Sequence, residues 1–170
     1  MALGVLHEDE PVELLGGRLV VTEPGGGPHA TAIDLAAEAL RRVFGEGWRV
    51  RVRLPLALGG DSVPEPDVAV VRGAARDYRG AHPSGAALVV EVAGASLRLD
   101  RTSRASVYAC AGIGDYWIVN LAERALELHR GPVSHGGRGR YLVAQVARSG
   151  DSVSPLAAPD ARVAVADLLP

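Results

Sequence analysis

The chain has 170 residues, 48% of them hydrophobic, and a formal net charge of −2. That length suits one domain, residues 1–170, with a real core, and the composition excludes a disordered chain. The charge leaves no global basic footprint for nucleic acid, and no apolar run reaches the ~20 residues of a membrane-spanning helix.

All eighteen basic residues are arginine, so chemistry that needs a titratable amine side chain is excluded. The start, "MALGVLHEDEPVE", has neither a basic leader nor a long apolar stretch and does not read as a secretion signal. The lone cysteine, Cys110, can form no internal disulfide, which sets a reducing cytoplasm as the expectation. Cys110 itself is expected as a buried structural thiol.

In chain order, "ELLGGRLVV" (13–21) reads as a hairpin turned by Gly16-Gly17. "TEPGGGP" (22–28) is a loop, and Pro28 suits the first turn of a helix. Ile33, Ala36, Ala37, Leu40, Val43 and Phe44 then recur at helical spacing, with Gly45 as the stop. "WRVRVRLPLAL" (48–58) alternates, predicting a half-exposed strand with Arg49, Arg51 and Arg53 as a solvent-facing stripe that could meet phosphates. "DVAVV" and "ALVVEVA" have the β-branched density of interior strands. A second helix is predicted from Asp100, as N-cap, to Gly112. "DYWIVN", "ALELHRG" and "RYLVAQVA" follow as a strand meander, and "RSGD" (148–151) turns the chain toward its end. The order predicts a mixed α/β domain around one central sheet.

Two acids sit where core is expected. Asp67 opens a strand after Pro66, and Glu91 interrupts "LVVEVA" on the face opposite Val90 and Val92. An ionised carboxylate among apolar neighbours is costly unless it is exposed, paired or metal-bound. If the two strands are neighbours, Asp67 and Glu91 converge and can share a hard divalent cation, with the Val92 carbonyl beside them. Asp100, Arg104 and Tyr108 are spaced i, i+4, i+8, so Arg104 could face the acids; the plainer alternative is a simple Asp100–Arg104 helix pair.

These segments together resemble a known family. "ELLGGRLV", "GPH" opening a helix, "PEPDVAVV", "LVVEVAGAS…D…R…Y", "AGIGDYWIVN" and "ALELHRG" fall in the order seen in the Uma family, described as putative restriction endonucleases, within the PD-(D/E)XK nuclease superfamily. The resemblance runs from about residue 11 to "VAVADLLP". It implies a restriction-endonuclease-like core, a mixed β-sheet flanked by helices. It also implies DNA as substrate and Mg²⁺ or Mn²⁺ held by Asp67, the family's first acid, and Glu91, its second. Position 93 is alanine, so the ordinary Glu-x-Lys spacing is absent, and Arg104 stands in place of the usual lysine at the helical position where the family places its cationic residue. An arginine supplies charge but no general base. After Glu91 the chain reads Gly94-Ala95-Ser96 in place of the family's Ser-Pro-Ser.

Glu13 matches an acid near the family's start and is an accessory candidate with His29, Asp100 and Tyr108. His29 is placed at a helix N-terminus, where it could touch a phosphate or serve as a surface residue. Arg98 and Arg101, beside the acids, are candidate DNA contacts. Glu65 is expected to flank the site, and Tyr116 and Trp117 to pack in the core. His7, His82, His129 and His135 have no metal-ligand spacing. Double-strand cutting favours two sites, hence a homodimer. The alternatives are a catalytically impaired relative that binds nucleic acid or a protein, and a hydrolase acting on another phosphate ester.

Overall fold

The computed structural model describes residues 11–22 and 25–170. His7, Glu23 and Pro24 lie outside the described residues. Among the described residues, no helix is long and apolar enough to cross a membrane.

Strands β1 (Val12–Leu15) and β2 (Arg18–Val21) form the expected hairpin. Gly16 and Gly17 both have positive φ, 56° and 75°, the conformation that a tight two-residue turn demands. Helix α1 (Gly27–Val43) follows, with Pro28 in its first turn. It buries Ala32, Ile33, Ala36, Ala37, Ala39 and Leu40 along one stripe.

Six strands make the central sheet: β3 (Trp48–Val52), β4 (Val68–Arg72), β5 (Leu88–Ala93), β6 (Asp115–Asn120), β7 (Ala125–His135) and β8 (Arg138–Arg148), side by side in that order. Every pairing is antiparallel except β5–β6. A parallel pair needs a crossover, and the helical stretch 97–110 supplies it. Short strands β9 (Ser152–Val153) and β10 (Val163–Ala164) pair near the C-terminus.

Period-two alternation explains why β5 is buried throughout. Leu88, Val90 and Val92 pack in the layer under α1, while Val89 and Ala93 pack in the layer under 97–110, with Tyr108, Tyr116 and Ile118. Glu91 therefore belongs to the second layer, as its phase requires.

Four local expectations need correction. The 48–58 strand ends at Val52, because Arg53 adopts a positive φ of 47°. The arginine stripe does not survive: Arg51 is buried and donates to the Pro55 carbonyl at 3.2 Å, its guanidinium lying over the Tyr78 ring. The second helix begins at Leu97 rather than capping at Asp100. It runs as α2 (Leu97–Leu99), a π-helical turn (Asp100–Arg104) and α3 (Ala105–Cys110), so Asp100 lies inside it and fully buried. Cys110, at its last turn, is exposed rather than buried.

The crossover helix lies unusually close to β8. Gly139 donates its N–H to Ser106 Oγ at 3.0 Å, and a Cβ there would meet the Ser106 carbonyl oxygen at 2.3 Å and the Cys110 nitrogen at 2.6 Å. Both obstacles are backbone, which cannot move aside cheaply. Gly139→Ala should destabilise the protein by about 2 kcal/mol in urea unfolding, whereas Gly85→Ala, with open space at its Cβ, should change little.

Candidate active site

The register places the acids opposite one another. Val68 pairs with Val90 and Val52 with Val68, so one step further along the row stand Arg53, Asp67 and Glu91. Asp67 Oδ2 accepts the Val92 N–H at 2.8 Å, and the Asp67 N–H approaches Glu91 Oε2 at 3.4 Å. Each acid thus caps the other strand where the β4–β5 ladder ends, which satisfies amides that would otherwise be stranded.

From the crossover helix, Tyr108 donates its hydroxyl to Glu91 Oε1 at 2.6 Å, and Arg104 Nη1 lies 3.4 Å from Glu91 Oε2. The same Nη1 donates to Asp100 Oδ1 at 2.8 Å, and Nη2 donates to Glu13 Oε1 at 2.7 Å. Ser96 Oγ donates to Asp100 Oδ2 at 2.7 Å. The π turn sets this geometry, because the Ala105 N–H reaches back five residues to the Asp100 carbonyl, which also accepts the Tyr116 hydroxyl at 3.0 Å. Such one-turn insertions recur at functional sites.

Glu13 arrives from far away in sequence. The β1–β2 hairpin is pinned to the loop before β4 by the Val63 N–H on the Leu14 carbonyl (2.8 Å), the Gly17 N–H on the Asp61 carbonyl (2.8 Å) and the Gly16 N–H on Ser62 Oγ (2.9 Å). Alternation then turns Glu13 and Leu15 inward. Glu13 Oε2 is buried with no hydrogen-bond partner among the described residues.

Charge is out of balance here. Glu13, Glu91 and Asp100 share the buried Arg104 guanidinium, and Asp67 stands against Glu91. Burial raises the Glu91 pKa well above its ordinary value; Arg104 pulls it down, but Asp67, Asp100 and Glu13 push it up again. Burial likewise raises Glu13 and Asp100 against the pull of Arg104. Burial disfavours the charge on Arg104, yet Glu91, Glu13, Tyr108 and Asp100 outweigh it and hold its pKa above the usual arginine value. Arg104 is therefore a permanent cation with no base function.

The remaining candidates divide. His29, in the first turn of α1, brings Nε2 to 3.6 Å from Asp67 Oδ2, and its Nδ1 is buried without a partner among the described residues. Arg101 is held by Glu127 through two hydrogen bonds, at 3.0 and 2.7 Å. Arg98 and Glu65 are exposed. Tyr116 and Trp117 are fully buried. Sequence reading missed Ser96, which steadies Asp100, and misplaced Arg53, whose Nε lies 3.5 Å from Asp67 Oδ1. The left-handed backbone of Arg53 costs on the order of 1 kcal/mol; inside a regular alternation, nothing in the sequence marks it.

The donors here fit a hard divalent cation. They are carboxylate oxygens in excess of positive charge, and one of them, Glu13 Oε2, lacks a partner. Among the described residues, no three His, Cys, Asp or Glu side chains are grouped to ligate one ion as they stand; the Arg104 guanidinium and backbone amides engage several of the carboxylate oxygens.

Comparison with solved structures identifies the fold. A crystal structure from Anabaena variabilis, described as a putative nuclease belonging to DUF820, matches with a TM-score of 0.70 and 16% identity, over 96% of this chain and 92% of that one. No curated protein matches. A family model, "Uma2: Putative restriction endonuclease", matches residues 2–166, and the chain belongs to that family.

Raised carboxyl pKa values mean that the folded state binds protons more tightly than the unfolded chain. Their contribution is then full below about pH 4.5, the ordinary glutamate value, and is lost as pH rises through the folded-state titration. Without added metal, Glu91→Gln should flatten the decline of wild-type stability from mildly acidic pH toward pH 8, read by thermal melts across pH. At pH 8, Mn²⁺ should raise the wild-type Tm more than that of Glu91→Gln.

Proposed function

We propose that the protein is a metal-dependent DNA endonuclease that hydrolyses phosphodiester bonds and works as a homodimer, since cutting both strands favours two sites. The observation that carries this is the opposition of Asp67 and Glu91 on adjacent strands, beside a buried cation from the crossover helix. Membership of the family supports it.

In this reading Asp67 and Glu91 hold Mg²⁺ or Mn²⁺, with the Val92 backbone carbonyl as a further oxygen. When bound, such an ion polarises a phosphate oxygen and lowers the pKa of water. Arg104 replaces the usual lysine as a fixed positive charge that favours the negative charge growing on the phosphate. It cannot take a proton, so its part is electrostatic. Glu13 and Asp100 orient the guanidinium from two sides, and Tyr108 orients Glu91 through its hydroxyl. His29 flanks Asp67, and Arg98 is an exposed candidate for backbone phosphates. Arg101 would reach DNA only by giving up Glu127.

A second reading has its own observation. Arg104 is shared among three carboxylates and both Glu91 oxygens are engaged, the arrangement of a nuclease fold that binds nucleic acid or a protein without cutting.

Supercoiled plasmid and single-stranded DNA incubated with Mg²⁺ or Mn²⁺ separate the two. Wild type should nick, Glu91→Ala should not, and Tyr108→Phe should cut about tenfold more slowly. Folded wild type that binds metal yet leaves both DNAs intact would sink the enzyme reading.

A further inference from the structure

We propose that Arg53 is the contact between this site and a phosphate of the nucleic-acid substrate, the arginine that exchanges Asp67 for a phosphate oxygen when a strand binds. This rests on the nuclease reading above and names a group that reading leaves out.

Three basic side chains touch the acids, and they differ in freedom. The Arg104 side chain is 8% exposed and shared among Glu13, Glu91 and Asp100. His29 is mostly covered. The Arg53 side chain is 53% exposed, and among the described residues Asp67 is its one ionic partner, at 3.5 Å. An exposed pair at that distance is weak and readily exchanged, whereas the Arg104 contacts are not.

Arg53 is also fixed at its root. Its N–H donates to the Asp67 carbonyl at 3.1 Å, and its φ of 47° lies in the left-handed region that side chains rarely adopt. That conformation ends β3 and carries the side chain to the row of Asp67 and Glu91. Asp67 Oδ2 is tied to the Val92 N–H, so Oδ1 is the oxygen Arg53 meets. A locked backbone, a half-exposed guanidinium and one weak carboxylate contact beside the acid pair are what a phosphate-binding fork requires. The β3 arginines do not share them: Arg51 is buried on the Pro55 carbonyl, and Arg49 pairs across from Val71, four residues away along the strand.

The test is binding of a fluorescein-labelled DNA duplex, by anisotropy in Ca²⁺ over a range of salt, alongside thermal melts and plasmid cleavage in Mg²⁺. Arg53→Gly, which accepts the left-handed φ, should bind on the order of tenfold more weakly. Its salt slope should be shallower by about 0.9, the signature of one lost phosphate contact, and its Tm should be at or above wild type. Arg53→Gln should lose binding and slope alike, and Arg49→Ala should match wild type. Wild-type affinity and slope in both Arg53 variants would overturn the proposal, as would binding lost only in step with a fall in Tm. Wild-type cleavage with unaltered Arg53 variants removes this assignment alone; wild type that neither binds nor cuts DNA removes the nuclease reading with it.

Discussion

Three carboxylates buried around one guanidinium, with a fourth, Asp67, against Glu91, are the constraint on which this fold depends. Desolvating charge is expensive, and removing one partner of a buried ionic set leaves the others uncompensated, at about 3–5 kcal/mol. Arg104 therefore ties together three parts of the chain: the N-terminal hairpin through Glu13, the central strand through Glu91 and the crossover helix through Asp100. An apolar cluster of similar volume would hold them as well. The polar solution is harder to explain by stability than by chemistry.

The central sheet makes that polar cluster tolerable. Strands β4 and β5 are apolar on both faces apart from Glu91, and Asp67 and Glu91 stand at the end of the β4–β5 ladder, where amides lack strand partners. The carboxylates thus serve the backbone as well as one another. Asp67 and Glu91 close the sheet in the resting protein with the same oxygens that would face a cation.

Much of this was legible in the sequence. β-branched density marked β4 and β5, the phase of Glu91 within "LVVEVA" gave its face, and the i, i+4, i+8 spacing of Asp100, Arg104 and Tyr108 aimed that helix at the acids. The local geometry was not legible. A π turn has no composition signal, so Asp100 looked like a cap when it is an interior residue. The end of β3 depends on a left-handed arginine, which breaks an alternation that otherwise runs on. Cys110 read as buried because small residues surround it, but it falls on the outer side of the last helical turn. Glu13 could be matched to the family, but its contact with Arg104 depends on how a distant hairpin docks.

That docking has a consequence for how the chain comes to its final form. The Tyr108–Glu91 contact spans 17 residues, whereas Arg104–Glu13 spans 91. Loop closure disfavours the longer contact, and most of the sheet can assemble from near neighbours before the hairpin arrives. Until it does, the guanidinium has two of its three carboxylates and the cluster stays open on one side. On loop entropy alone, the N-terminal hairpin is the costliest of these parts to bring in, and the Arg104 cluster is complete only once it docks.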